Sequence, residues 1–176
     1  MTIVDVFRCK ICGEVYIGSE KPTHCPFCGA HKELIIFARD EDINYDVELS
    51  ETDKKLVEKA LELEIDNSRF YLCSNKNTKN IEGKSMFKRL AKIEYEHAEV
   101  WGKILKTDIP KREAGENCSE DYNENLKKSH EREERAINFY KEAAEQSENE
   151  RIKEIFKAFV DVEKDHLQLS EKRMWF

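Results

Sequence analysis

A mainly α fold is predicted: a four-helix bundle carrying a small N-terminal β domain held together by metal. Three observations predict it. Two Cys-x-x-Cys pairs fall within the first 38 residues. From residue 51 onward, apolar residues recur at alternating spacings of three and four. Inside those apolar stripes, a set of Glu, His and Tyr residues repeats at one fixed offset. The corresponding divisions are residues 1–38 for the metal domain, 39–50 for a linker and 51–176 for the bundle.

The N-terminal segment places Cys9 and Cys12, then Cys25 and Cys28, in the run FRCKICGEVYIG…HCPFCGAHKELIIF. Two residues between paired cysteines let a tight turn aim both sulfurs at one ion. Gly13 and Gly29 follow each pair and let the chain turn beneath the metal. Short β-type runs flank the turns at Ile3–Phe7, Val15–Ile17 and Leu34–Phe37. So short a segment cannot bury a sizeable core, so the metal does the stapling. The donor set is that of a tetrahedral four-sulfur site. Spacing alone does not separate a structural zinc ribbon from a redox-active iron centre. His24 and His31 read as exposed loop residues, because four thiolates already complete a tetrahedron.

The linker, RDEDINYDVELS, is acidic and lacks helical periodicity. Ser50 with Asp53 three residues on resembles a capping box and opens the first helix. Four helices are expected at about 51–76, 82–106, 119–147 and 149–172. The first carries Leu56, Leu63, Phe70 and Tyr71, with Glu64 and Asn67 set inside the stripe. The second carries Phe87, Leu90, Glu94, His97, Trp101 and Ile104. Pro110 and Gly115 mark a long crossover. The third carries Leu126, His130, Glu133, Ile137, Tyr140 and Ala144, and the fourth Ile152, Phe156, Phe159, Glu163 and His166.

The fixed offset is 69. Adding it carries Glu64 to Glu133, Phe70 to Phe139, Tyr71 to Tyr140, Phe87 to Phe156, Glu94 to Glu163 and His97 to His166. This reads as an internal duplication of a helix pair, roughly 70 residues per copy. On a helix, Glu64 and Tyr71 share a face, and so do Glu94 and His97. A single Glu in so charged a sequence ordinarily faces water. Four of them, in apolar stripes, at one offset and with two Glu-x-x-His pairs, do not fit that reading. Four carboxylates converging in a core repel one another unless cations hold them. Two divalent ions balance four Glu, and neutral His97 and His166 complete coordination. Glu94 and Glu163 are suited to bridge the ions, Glu64 and Glu133 to cap one each. Tyr71 and Tyr140 become hydrogen-bonding partners of the ligands.

Together these features resemble the rubrerythrin family: a rubredoxin-like knuckle joined to a ferritin-like bundle, whose ligand set is a Glu from each of two helices and Glu-x-x-His from the other two. With the knuckle first, the order resembles the reverse rubrerythrins. The resemblance implies one iron, or zinc, on Cys9, Cys12, Cys25 and Cys28. It implies two iron ions, with manganese or zinc as alternatives, on Glu64, Glu94, His97, Glu133, Glu163 and His166. It further implies a non-haem peroxidase reducing hydrogen peroxide to water, with electrons entering through the knuckle from a reductase or a rubredoxin; Tyr71 and Tyr140, close to the ligands, are candidates to relay protons. One departure is visible. Where typical members carry an extra Glu on the third helix, this chain has Ala136, with Glu131 and Glu134 nearby, which puts a redox-linked ligand exchange in doubt. His130 reads as a bundle-core histidine ahead of a seventh ligand.

Other classes are weighed against this. An iron-handling or oxygen-reducing ferritin-like protein is the alternative enzyme, and a zinc-stapled scaffold is the non-enzymatic one. The net charge of −7 argues against nucleic acid as a partner. No apolar run approaches a membrane span and no signal-peptide pattern opens the chain, so the expected location is the cytoplasm. Electron transfer requires the two centres to be close, which predicts a homodimer with the knuckle of one subunit beside the bundle of its partner. Cys73 and Cys118 read as small, buried or half-buried residues, and Trp101 and Trp175 as core or subunit contacts.

Overall fold

A computed structural model describes residues 3–174, so Trp175 lies outside the described residues. Strands β1 (Asp5–Cys9), β2 (Val15–Gly18) and β3 (Ile35–Phe37) form an antiparallel sheet in the order β2-β1-β3. Phe7 sits opposite both Tyr16 and Phe37 in register, and its buried ring packs on each of them. Of the sheet's other residues, only Cys9 and Ile35 are buried. The two cysteine turns are built alike. Gly13 donates its N–H to the Cys9 carbonyl and Gly29 to the Cys25 carbonyl, with φ of 78° and 80°. An L side chain resists that left-handed conformation.

Four helices follow: α1 (Glu51–Asn77), α2 (Ile81–Leu105), α3 (Tyr122–Gln146) and α4 (Glu150–Met174). Ser50, Asn80 and Asp121 cap the first three by accepting from the N–H of Asp53, Gly83 and Glu124. Three-residue links force α1 against α2 and α3 against α4 as antiparallel hairpins. The chain leaves α2 through Lys106, whose φ of 54° is left-handed, and crosses the bundle before α3. The fold is therefore two helix hairpins, which is the arrangement the 69-residue offset encodes.

One expectation needs correction, and two others gain detail. On α1 the inward line runs Val57, Ala60, Glu64, Asn67, Tyr71, while Leu56 and Leu63 are only half-buried. The line is centred on Glu64, and a residue one position earlier is turned by about 100° from it. Asp53 is more than a cap: it is buried and accepts from Ser147 Oγ at 2.6 Å and from the Glu148 N–H at 3.2 Å. It thereby ties the start of α1 to the α3–α4 link. The linker is tied to both the knuckle and the bundle: Tyr45 donates to the Ile11 carbonyl at 2.8 Å and the Glu48 carbonyl accepts from Asn149 at 3.2 Å.

Cys73 and Cys118 form a disulfide, where the sequence suggested two unlinked small residues. It pins the end of α1 to the crossover and closes a loop of 45 residues. Constraining the unfolded chain over such a loop contributes at most about 4 kcal/mol. Reduction, or Cys118→Ser, is expected to shift the denaturant midpoint downward accordingly; overlapping curves with and without reductant would contradict this.

Candidate metal centres

The knuckle brings four buried sulfurs together. Cys9 Sγ lies 3.6 Å from Cys28 Sγ, and Cys12 Sγ 3.7 Å from Cys25 Sγ. A tetrahedral ion with bonds of about 2.3 Å sets its sulfurs about 3.8 Å apart, so the spacing fits a four-thiolate ion. The Ile11 N–H points at Cys9 Sγ at 3.4 Å. Burial holds the Cys28 thiol well above its ordinary range, whereas hydrogen bonds from Cys12, Cys28 and Cys9 hold Cys25 far below it. Four sulfurs this close cannot all ionise against one another unaided. Four thiolates need a cation.

In the bundle, α1 contributes Glu64, α2 Glu94 and His97, α3 Glu133, and α4 Glu163 and His166. Five of these six side chains are fully buried and His166 is 4% exposed. They form two clusters, Glu64–Glu94–His97–Glu163 and Glu94–Glu133–Glu163–His166, that share two members. The shared members face both ways. Glu94 turns Oε2 to His97 Nδ1 at 3.4 Å and Oε1 to His166 Nδ1 at 3.1 Å. Glu163 turns Oε1 to His97 Nδ1 at 3.4 Å and Oε2 to His166 Nδ1 at 3.1 Å. Glu64 lies 3.5 Å from His97 Nδ1 only. The donor pattern is two carboxylates spanning two centres, with one further carboxylate and one imidazole for each.

Two tests of fit to a cation pair agree. Glu64 Oε2, both oxygens of Glu94, His97 Nδ1, Glu133 Oε2 and Glu163 Oε1 are buried and have no hydrogen-bond partner among the described residues. Each such orphan costs a few kcal/mol unless something satisfies it. The ring orientation is the second. His97 Nε2 is 2.8 Å from the Cys28 carbonyl, which only accepts, so Nε2 carries a proton and Nδ1 is the nitrogen turned inward, where a cation would replace its proton.

Each tyrosine reaches across to the other hairpin. Tyr71 donates to Glu133 and Tyr140 donates to Glu64. Ser129 Oγ lies 2.8 Å from Tyr71 Oη, and Trp101 Nε1 donates to Tyr140 Oη at 3.3 Å. Burial, then the adjacent carboxylates, push both phenols well above their ordinary range, so they remain O–H donors. Phe159 stacks on His97 with centroids 4.0 Å apart, and Trp101 and Phe156 pack behind it.

His130 lies outside both clusters: it is half-buried, with Nε2 3.6 Å from Glu134 on the next turn. Ala136 is buried, and Glu131 and Glu134 are exposed, so no fifth carboxylate from α3 enters the site. Ser129 was missed in the sequence, although it stands four residues before Glu133 on the same face. Asn67 is buried and accepts from Arg132 at 3.0 Å, leaving its Nδ2 unpartnered.

The knuckle packs on its own bundle. Besides the Cys28–His97 hydrogen bond, Lys103 and Arg151 donate to the carbonyls of Cys12 and Lys10. Gly29 backs onto α4, where a Cβ would come within 2.9 Å of Val162 Cγ1. The expectation of a homodimer rests on a tethered knuckle not reaching its own bundle; in this structure the knuckle does reach it.

Two family models match the chain. The rubrerythrin model matches residues 55–174, and the rubredoxin-like domain of rubrerythrin matches residues 7–34. A curated protein, reverse rubrerythrin-1 of Clostridium acetobutylicum, is 43% identical over 35 residues, which are 20% of this chain and 19% of that protein. The aligned stretch thus spans about a fifth of the relative's length. No solved structure matches.

Proposed function

The chain belongs to the rubrerythrin family, and from that premise we propose that it is a non-haem peroxidase that reduces hydrogen peroxide to water, with electrons entering through the four-cysteine site. Members of the family are iron-binding oxidoreductases, generally di-iron peroxidases. The observation that carries the finer reading is the hydrogen bond from His97 to the Cys28 carbonyl, at 2.8 Å. One ligand of each centre takes part in a single polar contact, which suits one-electron transfer between them. Simple iron storage needs no such relay.

Cys9, Cys12, Cys25 and Cys28 would hold one iron, and Glu64, Glu94, His97, Glu133, Glu163 and His166 would hold two. When bound, the iron pair supplies the two electrons that, with two protons, turn peroxide into two waters. The protein's own part is positioning and proton handling. Glu94 and Glu163 fix the separation of the two centres. Tyr71 and Tyr140 keep protons one hydrogen bond from Glu133 and Glu64, where carboxylates pass them inward. Phe156, Phe159 and Trp101 exclude bulk water on the His97 side.

Because the contact is within one chain, reoxidation of the four-cysteine site after a peroxide pulse should be first order and unchanged on dilution by about two orders of magnitude. A rate that falls with dilution would mean that the electrons cross between molecules. Anaerobic mixing with peroxide and, separately, with oxygen tests the oxidant, and the proposal requires peroxide to be the faster. A reductase or rubredoxin is the proposed donor, and a homodimer, where it forms, is not needed for the transfer. A cytoplasmic location is proposed on the four thiols kept for metal, and the Cys73–Cys118 disulfide is the feature that argues against it. Among the described residues, no helix is long and apolar enough to cross a membrane.

A further inference from the structure

Outside both buried centres, a third group of donors converges at the seam between the knuckle and α4. His24 and His31 face each other across an isolated antiparallel bridge, and their rings meet edge to face at 4.9 Å. Both turn Nε2 toward Asp165 of α4, at 3.4 Å from His24 and 2.7 Å from His31. All three donor atoms lie within 4.8 Å of one another. Thr23 Oγ1, 3.1 Å from His24 Nδ1, holds the ring so that Nε2 points to the carboxylate. Nothing in the peroxidase reading uses these residues.

We propose that His24, His31 and Asp165 form a third metal site, for a divalent cation of the zinc, nickel or copper class. Two imidazoles and a carboxylate are the donors such ions take, and three protein ligands leave a position for water. Zinc bonds of about 2.1 Å set tetrahedral donors about 3.4 Å apart. The His24–Asp165 separation already has that value. The His31–Asp165 pair, at 2.7 Å, opens by the difference, about 0.7 Å, when an ion enters between them. The side chains are 36–51% exposed, so an ion reaches them from solvent, and the cleft lined by His24, Asp165, Gln168 and Lys172 leaves room for the fourth ligand. Both histidines lie in the loop that carries Cys25 and Cys28, whereas Asp165 adjoins His166. An ion here clasps the knuckle to α4 beside the Cys28–His97 contact.

The test is a comparison between variants, so its outcome does not depend on which metals fill the buried centres. Iron-loaded full-length protein is equilibrated with zinc, desalted and analysed for both metals, alongside the His24→Ala/His31→Ala and Asp165→Asn variants. Wild type should retain one zinc per chain more than the double variant, with iron content unchanged. Zinc affinity should fall at least about tenfold in Asp165→Asn, which preserves side-chain size. Equal zinc in wild type and the double variant, zinc gained only as iron is lost, or undiminished affinity in Asp165→Asn would each overturn the proposal.

Discussion

Glu163→Ala is expected to remove both bundle metals and to lower peroxide turnover by at least three orders of magnitude, roughly, while leaving the four-cysteine site intact. Its two oxygens face His97 and His166, so one truncation leaves each cluster a ligand short. Loss of a group that merely orients a ligand costs about 10–100-fold in affinity, and loss of a ligand shared by two ions costs more. Glu64→Ala is the control. It belongs to one cluster only, and it should lose one ion where Glu163→Ala loses two. Without metal, Glu163→Ala also strips a carboxylate from beside two histidines, so the metal-free variant should be less stable than the metal-free parent. Metal content, turnover and the thiolate-site absorption together check the prediction. Undiminished turnover would move the chemistry out of the bundle.

Metal uptake in the bundle should expel protons, and affinity should therefore fall as pH falls. Burial pushes the carboxyls of Glu64 and Glu133 well above their ordinary range. Burial also opposes ionisation of Glu94 and Glu163, but the neighbouring histidines outweigh it and both are held low. Burial opposes charge on His97 and His166 too, yet the surrounding carboxylates win: His97 is raised well above its ordinary value and His166 is pushed up to about 10. A loaded site needs four ionised carboxylates and two imidazoles neutral at Nδ1. Burial opposes ionisation of Glu64 and Glu133, and the surrounding carboxylates favour protons on His97 and His166, so metal binding displaces protons and affinity for the pair should fall as pH is lowered.

The same groups set the stability of the metal-free protein. His166 binds its proton more tightly folded than unfolded, so its contribution is complete below about pH 6.5 and is lost as pH rises toward about 10. Glu64 and Glu133, also raised, contribute in the same sense, their stability fading as pH climbs above about 4.5. Glu94 and Glu163, lowered, lose theirs on acidification. From pH 6.5 to 9 the melting temperature of chelated protein should fall, while that of metal-loaded protein holds or rises. Parallel curves would contradict the assignment.

The bundle was legible because its two hairpins keep their polar residues at one offset. Glu64, Glu94, His97 and their partners 69 residues on stand out as polar residues inside apolar stripes, and helical geometry then fixes which share a face. The thiolate site was legible for a similar reason, since Cys-x-x-Cys with a following Gly specifies its own turn. What sequence did not disclose lies between elements. No pattern in 73 and 118 says that the last turn of α1 meets the crossover. Gly29 announces a turn but not that Val162 presses against it. Asp53 reads as a cap, and only the α3–α4 link arriving overhead makes it a buried acceptor. The knuckle's seat on its own bundle belongs to the same class.

The central claim is that six side chains from four helices hold a pair of metal ions beside a separate thiolate-bound ion. Mössbauer spectroscopy of full-length protein loaded anaerobically with iron-57 tests it most directly. The predicted result is two signals in a ratio of two to one, the larger from iron bound by oxygen and nitrogen and the smaller from tetrathiolate iron, at three iron per chain. A thiolate signal alone, with Glu64, Glu94, Glu133 and Glu163 taking up no iron, would contradict it.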